Sequence, residues 1–148
     1  MGKQEAREWA REEFGHAKLG DPRSTARLVR MATSLAESPG RKVVEVFRSS
    51  AEQQGAYDFL ANNEVRVESI LDAVRSATTV RCAGQLWVHV VVDGTSLRIT
   101  DRGRTKGFGA VGSTSNRASG LKVVHAYALA PDGVPLGVLN QQLSLIHI

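Results

Sequence analysis

The apolar residues of this chain change their period near Gly84, and this change constrains the fold more than any other feature. Before Gly84, apolar residues recur at the spacing expected for one buried face of a helix. After Gly84 come the β-like runs LWVHVVV, SLRIT, LKVVHAYALA and VPLGVLNQQL, with turn signals DG at 93–94 and PDG at 131–133. A helical first half followed by a sheet predicts an α+β fold.

The segment LGDPRSTARLVRMATSLAESPG carries start and stop signals for a helix. Asp21 is a good N-cap, and Pro22 occupies the first helical position, where its missing N–H costs little. Pro39-Gly40 ends the run. One face of the predicted helix is apolar and is expected to be buried, with Leu28, Met31, Ala32 and Leu35.

A second face of the same helix carries Arg23, Arg27 and Arg30. A row of guanidinium groups can follow a phosphate backbone, although a solvated helix surface gives the same pattern. The net charge of +4 is modest, and residues 1–50 hold ten Lys or Arg against seven Asp or Glu, so most of the excess lies in this half. The basic first half therefore fits contact with phosphates without deciding between the two interpretations.

Three further segments of the first half are amphipathic and are predicted to be helices that pack. Trp9 and Phe14 mark one from about Lys3 to Lys18, and Gly20 breaks it. The other two are AEQQGAYDFLANN and VESILDAVRSATTVRCA. Their expected packing residues are Ala51, Tyr57, Phe59 and Leu60 in the former and Ile70, Leu71 and Val74 in the latter. The aromatic residues fit a core better than a base-stacking surface, because no RNA-binding motif surrounds them.

Asp93 interrupts the stretch LWVHVVVDGTSLRIT, and two interpretations compete for it. Asp-Gly between two β-rich runs is a strong signal for a two-residue hairpin turn. The continuous apolar run from Val90 to Val92, however, is typical of a strand covered on both faces. An acid at the end of such a strand would lie at the border of the core, where enzymes often hold metals. The residues alone leave both interpretations open.

Other chemical motifs are weak. GFGAVG at 107–112 matches the dinucleotide-binding pattern, but polar DRGRTK precedes it and STSNRASG follows it, so a glycine-rich loop is the preferred interpretation. The sequence has neither a cysteine pair nor a His-x-x-x-His spacing for zinc. Thr95 and Ser96 lack readable partners for a hydrolytic triad. His89 and His125 lie in apolar strands and are predicted to be hydrogen-bonded structural imidazoles.

The cysteine usage and the first residues indicate the compartment. Cys82 is the only cysteine, which excludes an intramolecular disulfide. The charged start MGKQEAREWAREEF has no signal-peptide core, and no run of the sequence is long enough to span a bilayer. These features predict a protein of the cytoplasm.

Four blocks of the sequence, LGDPRSTARL, AEQQGAYDFL, VVVDGTSL and GLKVVHAYALAPDGVPLGVL, carry a family resemblance. In this order and spacing the chain resembles the bacterial insertion-sequence transposases of the DDE type, in the branch typified by the transposase of the kanamycin-resistance composite transposon. The resemblance covers Trp9 to about Leu139. It implies a helical region that grips transposon ends, followed by a ribonuclease H-like α/β domain. It also implies an enzyme that uses Mg²⁺ and binds double-stranded DNA as a homodimer in a paired-end complex.

The resemblance assigns roles to individual residues. Asp93 matches the first catalytic, metal-binding acid of the family, in a pattern like Gln-Asp-Thr-Thr-x-Leu. Val92 and Gly94 depart from this pattern, whereas Thr95 and Leu97 keep it. The basic residues that fall in the implied end-binding region are Lys18, Arg23, Arg27, Arg30, Arg41, Lys42 and Arg48.

The predicted organisation follows from the resemblance and the period change. It comprises a helical end-binding region at 1–62, a helical connector at 63–83, the start of the ribonuclease H-like domain at 84–142 and a non-native tail at 143–148. The tail LSLIHI is what CTGTCTCTTATACACATC encodes, a string that resembles a transposon-end adaptor of sequencing libraries. A genuine short strand is the alternative for this tail.

The functional prediction is the N-terminal part of a cut-and-paste DNA transposase in the bacterial cytoplasm. The family supplies a second Asp and a Glu further along, so the sheet is expected to be incomplete and the chain by itself inactive. One alternative is a stand-alone DNA-binding module or transposition regulator without catalysis. Another is an interaction domain without affinity for DNA.

Overall fold

The fold consists of five helices followed by four strands in the part of the chain that this computed structural model describes, residues 2–100, 107–111 and 118–144. The helices are α1 (Lys3–Phe14), α2 (Pro22–Glu37), α3 (Val43–Val46), α4 (Ser50–Ala61) and α5 (Val67–Ala83). The chain divides into two compact units, the helical unit Met1–Ala77 and the sheet unit Thr78–Ile148. The predicted α+β class is confirmed.

Local chemistry sets both ends of α2 as the sequence predicts. Asp21 has an extended backbone, and its Oδ1 accepts a hydrogen bond from the backbone N–H of Arg23 at 2.8 Å. Pro22 is the first helical residue, and the helix ends at Glu37, two residues before Pro39. A side-chain cap of this kind stabilises a helix by about 1 kcal/mol.

A tight connection holds α1 beside α2. Gly20 has φ of 78°, a left-handed conformation that glycine adopts without the steric cost of a Cβ atom. Leu19, just before it, is buried. The Thr25 hydroxyl of α2 donates a hydrogen bond to the carbonyl oxygen of Ala17 at 2.9 Å. These contacts therefore fix the position of the first turn of α2 relative to the end of α1.

The core of the helical unit collects side chains from most of its helices. Its buried members are Ala17, Leu19, Leu28, Met31, Phe47, Ala56, Phe59 and Ala73. The prediction that Leu28, Met31 and Ala32 are buried is confirmed. The prediction for Leu35 is wrong, because this side chain is 41% exposed in the last turns of α2.

Only one narrow stripe of α4 is buried. Ala56 and Phe59, three residues apart, form this stripe. The predictions for Ala51, Tyr57 and Leu60 are wrong: these positions lie to the side of the stripe, and Leu60 is 66% exposed.

In the part of α5 that belongs to the helical unit, residues 67–77, the most buried positions are alanines. Within the helical unit, Ala73 and Ala77 are buried at a spacing of four, whereas Ile70, Leu71 and Val74 are half-buried. The amphipathic helix is confirmed, but its deepest stripe lies on small side chains.

The strands are β1 (His89–Arg98), β2 (Gly109–Ala110), β3 (Ser119–Leu129) and β4 (Pro135–Ser144). β3 is central and pairs antiparallel with each of the others in the described sheet. The predicted PDG turn joins β3 to β4, and Gly133 adopts φ of 86° within it. Leu143 and Ser144 continue β4, whereas 145–148 lie outside the described residues.

Asp93-Gly94 is the middle of a strand. β1 pairs continuously with β3 from His89 opposite Leu129 to Arg98 opposite Gly120. The hairpin-turn interpretation is therefore wrong, and the two predicted runs around it form one strand. The ladder to β3 outweighs the local turn preference of Asp-Gly, because strand conformation depends chiefly on cross-strand context.

The faces of β1 are open. Val90, Val91 and Val92 are 54%, 45% and 66% exposed, so the expectation of a strand covered on both faces is not met in the described chain. β1 also lies at the edge of the described sheet, next to β3 alone, so one side of its backbone has no neighbouring strand there. Buried side chains of the sheet unit, such as Val123 and Ala128, belong to the central strand.

The glycine-rich motif contributes to the sheet. Gly109 and Ala110 pair with Gly120 and Ser119 as β2, so the preferred interpretation of GFGAVG as a glycine-rich loop is wrong for these two residues. Its last glycine lies outside the described residues. Among the described helices, none combines the length and the apolar character needed to cross a membrane.

Candidate nucleic-acid interface

A groove of about 1760 Å³ lies in the helical unit among α1, α2 and α4. Its floor includes Thr25 and Val29 of α2 and Gly55 and Phe59 of α4. The connection between α1 and α2 forms part of its lining, since residues 15–21 all line it. The packing that fixes this connection also fixes the shape of the groove.

Cationic side chains dominate the charge of the groove. Five of the predicted DNA-binding residues line it, namely Lys18, Arg23, Arg27, Arg30 and Arg48. Three of these, Arg23, Arg27 and Arg30, form the predicted stripe on α2. In the described residues, none of the groove cations forms an ion pair within 4 Å. Their charge is thus available to an anionic partner.

The structure adds Lys3, Arg7 and Arg11 of α1, which the sequence reasoning missed. Their spacing of four residues places them on one helix face, and this spacing was the available signal. Four acids of α1 obscured this signal, because they offset the positive charges when the charge of the whole segment is summed. None of these acids lines the groove, so folding separates the two signs onto different faces.

Four carboxylates also line the groove, and local hydrogen bonds engage three of them. Asp21 caps α2, and Glu52 accepts a hydrogen bond from the backbone N–H of Ser49 at 3.3 Å. Asp58 accepts one from the Gln54 amide at 2.7 Å, and Glu37 is the fourth. Eight cations against four carboxylates leave the lining net positive.

Arg41 and Lys42 occupy a different place. Both are exposed in the connection between α2 and α3, and neither lines the groove. The structure therefore does not bring these two predicted DNA-binding residues together with the other five.

Asp93 lies in the sheet unit, in the middle of β1. Its side chain is exposed, and Oδ1 accepts a hydrogen bond from the backbone N–H of Gly94 at 2.8 Å. His125 lies opposite Asp93 on β3, and Gln141 lies opposite His125 on β4, so the three residues share one face of the sheet. The geometry makes the carboxylate accessible from solvent.

In the described part of the chain, further metal ligands do not gather around Asp93. Within the described ranges, no group of three or more His, Cys, Asp or Glu residues could hold a metal ion. Asp132 lies in the β3–β4 turn, where its Oδ1 accepts a hydrogen bond from the backbone N–H of Val134 at 3.2 Å. Asp101 is outside the described residues.

The two strand histidines differ from each other. His89 is exposed, and its ring meets the edge of the Trp87 ring at a centroid distance of 4.5 Å. The Nδ1 atom of His125 is buried without a hydrogen-bond partner in the described part of the chain. The prediction of a hydrogen-bonded imidazole is therefore wrong for this atom.

The fold and charge of the helical unit define the class of protein: it is a helical region suited to bind an extended polyanion. A comparison with known families gives a more specific result. Residues 6–65 match the family described as transposase DNA-binding. The match runs from α1 to the residues that follow α4, and it supports a transposase N-terminal region with DNA as its partner.

Proposed function

We propose that this chain is the N-terminal part of a cut-and-paste DDE transposase of the insertion-sequence type, acting in the bacterial cytoplasm. The groove of the helical unit binds the double-stranded DNA of transposon ends. One observation carries the proposal: every residue that lines the net-positive groove, except Lys3, falls within the matched residues 6–65. In the paired-end complex, two copies of the parent enzyme hold two DNA ends.

The chemistry of the groove supports DNA over a neutral partner. Arginine presents a planar fork of N–H donors that matches phosphate oxygens, and lysine adds a mobile point charge. Such contacts release counterions from DNA, which makes the affinity depend steeply on salt. The described groove cations have no ion pairs to break before they meet phosphates.

The proposal extends to Asp93 as the first catalytic acid of a ribonuclease H-like domain. Its support is the position of Asp93 on the first strand and its exposure to solvent. The consecutive antiparallel pairing of β1, β3 and β4 suits the beginning of such a domain.

The described residues do not fit the Mg²⁺ site of a complete enzyme. Phosphoryl transfer by two divalent ions about 4 Å apart requires several carboxylates to balance their charge. Asp93 is a single carboxylate, and the described chain offers no further cluster. We expect this polypeptide alone neither to nick nor to join DNA.

The catalytic part is tested by incubating the purified chain with supercoiled plasmid and MgCl₂ or MnCl₂. We expect no conversion to nicked or linear plasmid. Nicking by the wild-type chain that disappears in Asp93→Ala, but persists in the same-strand control Ser96→Ala, would contradict the expected inactivity. It would also show that Asp93 is required for that cleavage.

The DNA-binding part is tested by fluorescence anisotropy with a labelled duplex at increasing salt. If the groove neutralises about five phosphates, the logarithm of the association constant should fall with the logarithm of salt concentration at a slope of about −4.5. Binding that is absent, or independent of salt, would sink the proposal and favour an interaction domain without DNA affinity.

A stand-alone DNA-binding regulator is the second candidate, favoured by the lack of a metal-holding cluster among the described residues. Both candidates bind DNA through the same groove. Sequencing the source DNA past codon 148 separates them. A reading frame that continues to a second Asp and a Glu supports the transposase, whereas a native stop near Leu139 with retained DNA binding supports the regulator.

A further inference from the structure

A glycine in the middle of α4 requires an explanation. Gly55 is the sixth residue of the helix Ser50–Ala61. Glycine in a helix interior destabilises it by roughly 0.5–1 kcal/mol relative to alanine, because the unfolded chain loses more conformational freedom. The space beside Gly55 provides a reason for its presence.

The guanidinium of Arg27 occupies that space. A Cβ atom added at Gly55 would lie 1.9 Å from Nη1 of Arg27, 2.8 Å from Cζ and 3.2 Å from Nη2. The guanidinium therefore lies against the α4 backbone, closer than any side chain at position 55 allows. Arg27 is correspondingly half-buried, whereas its neighbours Arg23 and Arg30 on the stripe are exposed.

We propose that Gly55 is a positioning residue that seats Arg27 on the floor of the groove as the anchoring phosphate contact for DNA. This inference rests on the proposed DNA-binding function and names the residue pair that organises it. A guanidinium held in place loses less conformational freedom on binding than one that is free in solvent. Arg23 and Arg30 then provide charge around a fixed central contact.

Gly55→Ala separates positioning from charge and from helix stability. The substitution adds one methyl group, leaves every charge in place and favours the helix. We expect the thermal midpoint of the full chain to stay equal or rise, because Arg27 has a flexible side chain and moves aside. We expect the dissociation constant for a duplex of about three helical turns to rise five- to tenfold.

A double-mutant cycle tests the pairing. Arg27→Ala alone should weaken binding to a similar extent, and adding Gly55→Ala in that background should cause no further loss. Ala51→Gly, an exposed position of α4 outside the groove, is the control that lowers helix propensity without touching Arg27, and it should bind as the wild type does. The effects should be equal on two duplexes of unrelated sequence, as expected of a phosphate contact.

The outcomes are distinct. Wild-type affinity in Gly55→Ala, a further loss in the Arg27→Ala background, or a lowered thermal midpoint would each overturn the seating of Arg27 by Gly55. An effect limited to one duplex would replace the phosphate contact by a base contact and overturn that part. A wild-type chain that fails to bind either duplex would overturn the proposed function itself.

Discussion

Replacing Arg23, Arg30 and Arg48 together by alanine should weaken DNA binding by about 100-fold. A hydrogen bond to a charged group contributes about 1 kcal/mol or more, and 1.4 kcal/mol corresponds to a tenfold change in affinity. All three side chains are exposed at the groove, so their loss leaves the core intact. Anisotropy titrations over a range of salt should also show the slope reduced in magnitude by about 2.7.

The matched control removes the same charge elsewhere in the helical unit. Arg41, Lys42 and Arg66 are exposed and do not line the groove. Their joint replacement by alanine should weaken binding far less, because charges beyond about 8 Å are screened at physiological ionic strength. An equal loss in the two triple variants would mean that net charge, and not the groove, determines the affinity. It would also support the prediction that Arg41 and Lys42 contact DNA.

Phe59→Ala should strongly destabilise the helical unit. Phe59 is 7% exposed in a core shared with Leu28, Met31 and Ala73. Truncation of a buried phenylalanine lowers the free energy of unfolding by about 3–5 kcal/mol, through lost transfer free energy and the cavity that remains. A domain of this size has a stability of only about 5–15 kcal/mol, so the loss is a large share of it.

Urea unfolding followed by circular dichroism measures this effect. Leu60→Ala is the control, since the neighbouring side chain is 66% exposed, and its loss should change the free energy of unfolding by no more than about 0.5 kcal/mol. Because Phe59 also lies at the groove floor, DNA affinity should fall in parallel with the folded fraction. Equal stability of the two variants would contradict the assignment of Phe59 to the core.

Local signals were sufficient for α2. Asp21 and Pro22 set its start and Pro39 follows its end, because capping and proline geometry act within a few residues. The apolar stripe Leu28, Met31 and Ala32 followed from the helical repeat alone. The burial of α4 could not be predicted so well, because Tyr57, Phe59 and Leu60 are all apolar, and the packing of neighbouring helices selects Phe59 among them.

The groove was predictable in part. The arginine stripe of α2 was evident from its spacing, and the connection between α1 and α2 was evident from Gly20. The contribution of Lys3, Arg7 and Arg11 depends on which face of α1 borders α2. The net charge of the segment does not reveal that face, because it sums the basic residues with the acidic ones. The position of the Arg27 guanidinium against Gly55 depends on the packing of α2 beside α4. The sequence does not reveal it, because the two residues lie far apart in the chain.

The amino-acid sequence by itself determined the division into a helical half and a β-rich half, the ends of α2 and the PDG turn, because caps, prolines and glycines act over short distances. Only the tertiary structure decided that Asp93-Gly94 continues a strand, since β3 provides a ladder of hydrogen bonds along all of β1 that a two-residue turn cannot match. The tertiary structure also decided which cations line the groove. Their grouping depends on how the helices pack, because packing brings together residues that lie far apart in the chain.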